Sequence, residues 1–196
     1  MLLISLDLPV QSFVTYKLLI KKGTKQKRLT CRKNLRMDQL KLDFIAVALI
    51  PLLRNLSPET QGQWGRMNAR QMVEHLSGFF QVSTGKLQFP LVTPEEHLPK
   101  YLEFLRSDKQ FRENTKAPIL PDDPMPLRLP DLEAAIDELQ TEITAFLQYF
   151  ERQPSAATQH PVFGNLHFDD WVLLHYKHVS HHLRQFNLFP GEPEIR

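Results

Sequence analysis

The sequence predicts an all-α fold, a bundle of four long helices with a short extra helix and a long proline-rich crossover loop. Three observations carry this expectation. Apolar residues recur at three- and four-residue steps in four separate stretches. No two stretches form a credible strand pair. The chain has 15 prolines against 7 glycines, which suits long ordered connections better than flexible linkers. Its 196 residues and 42% hydrophobic content fit one domain with a sizeable core. That domain is expected over residues 37–190.

The formal net charge of +2 hides an asymmetry, because residues 1–36 carry +8 and the remainder −6. Residues 21–36 read as a basic arm, yet they lack the interleaved aromatics of a single-strand binder and the periodicity of a membrane-surface helix. The expectation is a disordered tail, or an extension upstream of a start at Met37, that engages neither nucleic acid nor membrane. One cysteine, Cys31, excludes an intramolecular disulfide framework and a Cys-rich zinc site. The longest uncharged apolar run, Phe44 to Leu53, is ten residues long and contains Pro51; it is too short to span a bilayer. A soluble cytoplasmic protein is expected. No Gly-rich phosphate loop, Ser/His/Asp signature or Cys nucleophile motif is present.

The first helix is expected from Asp38 to about Asn55, with a kink or break at Pro51. The second starts after Asn68, which caps it with Gln71 in the capping-box position. Its apolar line is Met72, Leu76, Phe79 and Val82, and His75 lies against that line. Thr93-Pro94-Glu95-Glu96 opens a short helix reaching about Arg106. Residues 107–130 hold five prolines and read as a crossover, or as a lid over one end of a pocket. A third long helix covers Pro130–Arg152, with Leu132, Ile136, Leu139, Ile143 and Phe150 in register. Residues 160–164 make a tight turn in which Gly164 suits a positive φ.

The last helix, WVLLHYKHVSHHLRQF from Trp171 to Phe186, carries four of the eight histidines. At about 100° per residue, His178 and His182 lie roughly 40° apart on one face. They share that face with Trp171, Leu174, Val179 and Phe186, so they point into the core. Two imidazoles at i and i+4 can hold one metal ion from a single helix. The plain alternative is a pair of buried histidines satisfied by hydrogen bonds. Clustered polar groups inside a core favour a shared partner, because each is costly to bury alone. His75 is the candidate third ligand and His175 a rival, pairing with His178 at i, i+3. His97, His160 and His167 are read as structural.

WGRMNARQMVEHLSG, followed about 100 residues later by LHYKHVSHHLRQF, resembles the DinB/YfiT-like metal-dependent bundle superfamily. The closer likeness is to a bacterial branch, with Bacteroidetes-type members, known mainly as a domain of unknown function. HPVFGNLHFDDW, SDKQFRENTKAPILP and TPEEHLPKYLEFL also look typical of that branch, and the resemblance covers roughly Met37–Leu188. It implies a four-helix bundle with a divalent metal on three histidines, here His75, His178 and His182. The superfamily's His-His-Arg-Gly-Gln ending stands here as His181-His182-Leu183-Arg184-Gln185, so two positions depart from it while Gln185 is retained.

Three neutral histidines leave an open position on Zn²⁺, the first choice, or on Ni, Mn or Fe. Characterised relatives are similar to S-transferases that use bacillithiol or mycothiol. The resemblance therefore implies a metal-dependent transferase with a low-molecular-weight thiol and an electrophilic substrate as partners. The alternatives are a metal-water hydrolase and a non-catalytic metal-binding or dimerising bundle, with a homodimer as the expected self-association. No general base is identified; Asp169 and Asp170 read as helix-dipole acids, and Glu74 as facing away from His75.

Overall fold

The computed structural model describes residues 38–191, apart from Lys116 and Asp122. The expected extension over 1–36, its edge at Met37 and the chain beyond Gly191 lie outside the described residues. The described chain is mostly helical. Helix α1 covers 38–53, and its middle, Phe44–Ala48, is a π turn that leads into the α-helical Leu49–Leu53. The wide turn has a local cause. Pro51 has no N–H to return to the carbonyl four residues back, and its ring crowds that carbonyl. Just upstream, the Leu49 N–H bonds to Phe44 O, five residues back, so the register shifts before the proline is reached. The helix absorbs Pro51 as a widened turn and does not break there.

Helix α2, Ala69–Ser83, starts where the capping signal places it: Asn68 accepts from the Gln71 N–H, and Gln71 accepts from the Asn68 N–H in return. A 3₁₀ turn, Glu95–His97, leads into the short α3, Leu98–Arg106. Helix α4, Leu132–Arg152, begins two residues later than expected, because Asp131 caps it by accepting from Ala134 N–H at 2.8 Å. Helix α5, Phe168–Gln185, carries the histidines. Helix α2 packs chiefly along α4, while α5 meets α2, α3 and the π turn of α1. The core between them is aromatic at its centre, with Phe80, Phe146 and Trp171 fully buried. Among the described residues no helix is long and apolar enough to cross a membrane.

One expectation is corrected. The chain does contain a strand pair, β1 (Thr158–His160) antiparallel to β2 (Gly164–Leu166), in the register Thr158↔Leu166 and His160↔Gly164. Three residues per strand are too few to show alternation in the sequence. What is legible is the turn: Gly164 has φ +75°, as the tight turn requires. The hairpin is a fastening. Thr158 Oγ1 donates to Ser83 O at the end of α2 and accepts from Trp171 Nε1 of α5, at 2.8 and 2.7 Å. His160 Nδ1 accepts from the N–H groups of Val162 and Phe163 at 3.0 and 3.2 Å, so that nitrogen is unprotonated and the ring neutral.

Burial lowers the His160 pKa from 6.5 to about 3, which makes the fold acid-sensitive in a defined direction. Between those two values the unfolded chain binds a proton that the folded chain refuses, so stability falls as pH drops through this window. His160→Asn keeps an acceptor at the Nδ1 position and removes the titration. Urea unfolding followed from pH 7 to pH 4 is expected to give a slope shallower by up to about 1.4 kcal/mol per pH unit in the variant. Parallel slopes would contradict the neutral, accepting His160.

Candidate metal centre

Two helices bring three imidazoles to one point. His75 projects from α2, and His178 and His182 from α5, one turn apart. Nε2 of His75 and of His178 are 2.9 Å apart, and Nε2 of His178 and of His182 are 3.0 Å apart. All three donor atoms lie within 4.8 Å of one another. The three expected ligand residues thus meet, on the phase read from the helix period.

The donor chemistry fits a cation. An imidazole nitrogen offers one hydrogen or one lone pair. His178 Nε2 therefore makes a good hydrogen bond to one neighbour only, and its second close contact has no hydrogen or lone pair of its own to use. His178 Nδ1, on the other side of that ring, is buried with no partner. Three lone pairs turned inward become favourable when they share one ion at bonds of about 2.0–2.1 Å. The protonation state suits this as well. Burial, with some repulsion from His181, lowers the His75 pKa to about 4. Burial first, then repulsion among the clustered rings, drives His178 and His182 well below 6.5. All three rings are neutral at physiological pH, the form that binds metal. His182 is buried, and His75 and His178 are half-buried.

His175, the rival ligand, is elsewhere. It is fully buried and stacked on Phe80, with ring centroids 3.7 Å apart and 4° between the planes, and Trp171 lies nearly parallel at 5.5 Å. Neither of its ring nitrogens has a hydrogen-bond partner. Phe79 and Phe146 stand steeply against it, at 90° and 72°, so its N–H meets only aromatic rings. It is a core residue. His181 sits at the half-buried edge of α5, against Trp64 at 5.9 Å. His160 and His167 are structural, as expected; His167 Nδ1 contacts Ala156 O at 3.0 Å.

Sequence reasoning missed two buried charges that flank the ligands. Glu74, which precedes His75, accepts from the N–H groups of Arg128 and Leu129, at 3.0 and 3.1 Å for the nearest oxygens. Lys177, which precedes His178, donates to Ser107 O and Lys109 O at 2.5 and 2.6 Å. Residues 107–109 and 128–129 are the two ends of the crossover. Each helix that supplies ligands therefore holds one end of the same loop, through the residue next to a ligand. No local signal in the sequence marks either residue, because each bonds to a stretch of loop more than 50 residues away. The loop has no helix or strand of its own among its described residues.

A helical protein with three convergent histidines on two helices is the class that fold and site define. A family model described as "Protein of unknown function (DUF1569)" matches residues 31–188, and the chain belongs to that family. No curated protein and no solved structure matches the chain.

The anchor at Glu74 yields a direct test. Glu74→Ala leaves two backbone N–H groups without an acceptor and is expected to cost about 2–4 kcal/mol. Limited proteolysis of this variant should cut within residues 107–130 faster than in the wild-type chain, with Glu74→Gln intermediate. Equal cleavage rates in all three proteins would remove the anchoring role.

Proposed function

We propose that the chain is a metal-dependent enzyme built on a DinB/YfiT-like four-helix bundle, in which α1, α2, α4 and α5 are the long helices. His75, His178 and His182 hold one divalent cation, with Zn²⁺ the first choice and Ni, Mn or Fe the alternatives. The observation that carries this reading is the pair of Nε2 contacts at 2.9 and 3.0 Å about His178, which one neutral nitrogen cannot satisfy with hydrogen bonds alone. A cation held there supplies a Lewis-acidic position that favours the thiolate form of a bound thiol or the hydroxide form of a bound water.

The reaction follows from the resemblance: transfer of a low-molecular-weight thiol of the bacillithiol kind onto an electrophilic substrate, in the cytoplasm. The chain's residues take the supporting parts. Burial keeps the three imidazoles unprotonated, so ligand donation does not compete with protons near neutral pH. His75 and His178 are half-buried, so the route for a small molecule in this reading runs past those two rings. The crossover over 107–130, held by Glu74 and Lys177, is the wall beside it.

A second reading is a non-catalytic metal-stabilised bundle. Two concavities on the described surface, about 390 and 470 Å³, are lined by residues of α1 and α4 and lie away from the histidines. Turnover separates the readings. Metal-loaded protein that consumes an electrophile only with thiol present supports transfer, thiol-independent hydrolysis supports activation of water, and no turnover supports the structural role.

Ligand assignment is testable before any substrate is known. Zinc titration by chelator competition is expected to find one tight site in the wild-type chain and in His181→Ala, and none in His182→Ala. Full zinc binding by His182→Ala, or its loss in His181→Ala, would show the helix face to be misphased.

A further inference from the structure

The turn that precedes α2 wraps the last residue of α5. Gln63 N–H donates to Gln185 O at 2.7 Å, and the Gln185 side-chain amide donates from Nε2 to Trp64 O at 2.6 Å. The two glycines of this turn are spaces that the Gln185 side chain fills. A Cβ at Gly65, where φ is +76°, would stand 2.6 Å from Gln185 Nε2. A Cβ at Gly62 would meet Trp64 O at 2.9 Å and Gln185 Cγ at 3.0 Å. Gln185 is buried at 3% exposure, so its amide has little freedom to turn.

That fixed amide has a consequence for His182. Because Nε2 of Gln185 donates to a carbonyl, Oε1 is the end that faces the imidazole, 2.8 Å from His182 Nδ1. The flipped amide would press its oxygen against Trp64 O and set its N–H₂ beside the ring nitrogen. An amide oxygen carries lone pairs and no hydrogen, so His182 Nδ1 must carry the proton and Nε2 the lone pair. We infer that Gln185, clamped by the Gly62–Gly65 turn, is a positioning residue that fixes His182 as the Nδ1–H tautomer and turns its Nε2 lone pair toward His75 and His178. Side chains that orient a metal-bound histidine through its other nitrogen act in this way. The tautomer follows from hydrogen-bond geometry alone; its effect on metal affinity rests on the function proposed above.

The two parts are read separately. Nitrogen-15 NMR of the imidazoles in metal-free, full-length protein reports the tautomer of His182 directly. The wild-type chain is expected to give Nδ1–H. Gln185→Met, which keeps the length of the side chain but neither accepts nor donates strongly, should lose that preference. Gln185→Glu keeps the acceptor toward His182 Nδ1 and should retain the tautomer, while its second oxygen, set against Trp64 O, lowers stability. Gly65→Ala, which leaves Gln185 chemically intact but displaces it, should behave like Gln185→Met. An Nε2–H wild-type tautomer, or an unchanged spectrum in Gln185→Met, overturns the assignment. Zinc competition then tests the link to the site: Gln185→Met and Gly65→Ala are each expected to weaken zinc about 10–100-fold. Wild-type affinity in Gln185→Met overturns the positioning role. A wild-type chain that takes up no zinc, with the Nδ1–H tautomer in place, defeats the metal reading and leaves the tautomer assignment standing.

Discussion

The arrangement depends on one unfavourable juxtaposition. Three neutral imidazoles from two helices point their Nε2 atoms at a common centre, with contacts of 2.9 and 3.0 Å. Burial supplies the neutrality by making each protonated ring too costly, and neutrality supplies the lone pairs. Without a shared partner the cluster has one good hydrogen bond to distribute among three rings. The rest of the structure holds the two helices so that this crowding persists. The aromatic core of Phe80, Phe146 and Trp171 has His175 stacked into it, and Phe79, which stands against His175, packs on the His178 ring at 4.2 Å. The hairpin then ties the end of α2 to α5 through Thr158.

Two loops reach the ligand helices at three points through buried polar side chains: the turn over 62–65 on Gln185, and the two ends of the crossover on Lys177 and Glu74. Each anchor is at, or within three residues of, a histidine of the cluster. A helix shift that separated the imidazoles would therefore also leave buried backbone groups unpaired, and such losses are large compared with a net hydrogen bond. The same geometry gives the proposed enzyme a ligand shell set by rigid elements, which is the condition for holding a cation with a defined open face.

Much of this was legible in the sequence because it rests on periodicity. The spacing His178–His182 fixes a shared helix face whatever surrounds it, and Asn68 with Gln71 marks the start of the helix that brings His75 to meet them. His175 was harder. Its spacing allows a ligand role, and only the aromatic rings packed around it place it in the core. The hairpin escaped because three residues cannot display alternation. The π turn escaped because a proline announces a disturbance but not how the chain absorbs it. Glu74 reads only as facing away from His75, and Lys177 draws no reading; the role of both depends on where a loop some 50 to 70 residues away returns, and local pattern carries no such information. Gln185 was visible as a motif residue, whereas the reason for it lies in two glycines at the other end of the chain.

The central claim is that one metal ion is shared between α2 and α5. Elemental analysis of untagged protein, wild type beside His75→Ala, tests it most directly, because His75 is the only ligand that α2 contributes. The account predicts one divalent metal ion per wild-type chain and its loss in the variant. An unaltered metal content in His75→Ala, or a wild-type chain that stays metal-free after reconstitution with zinc, nickel, manganese and iron, would contradict it.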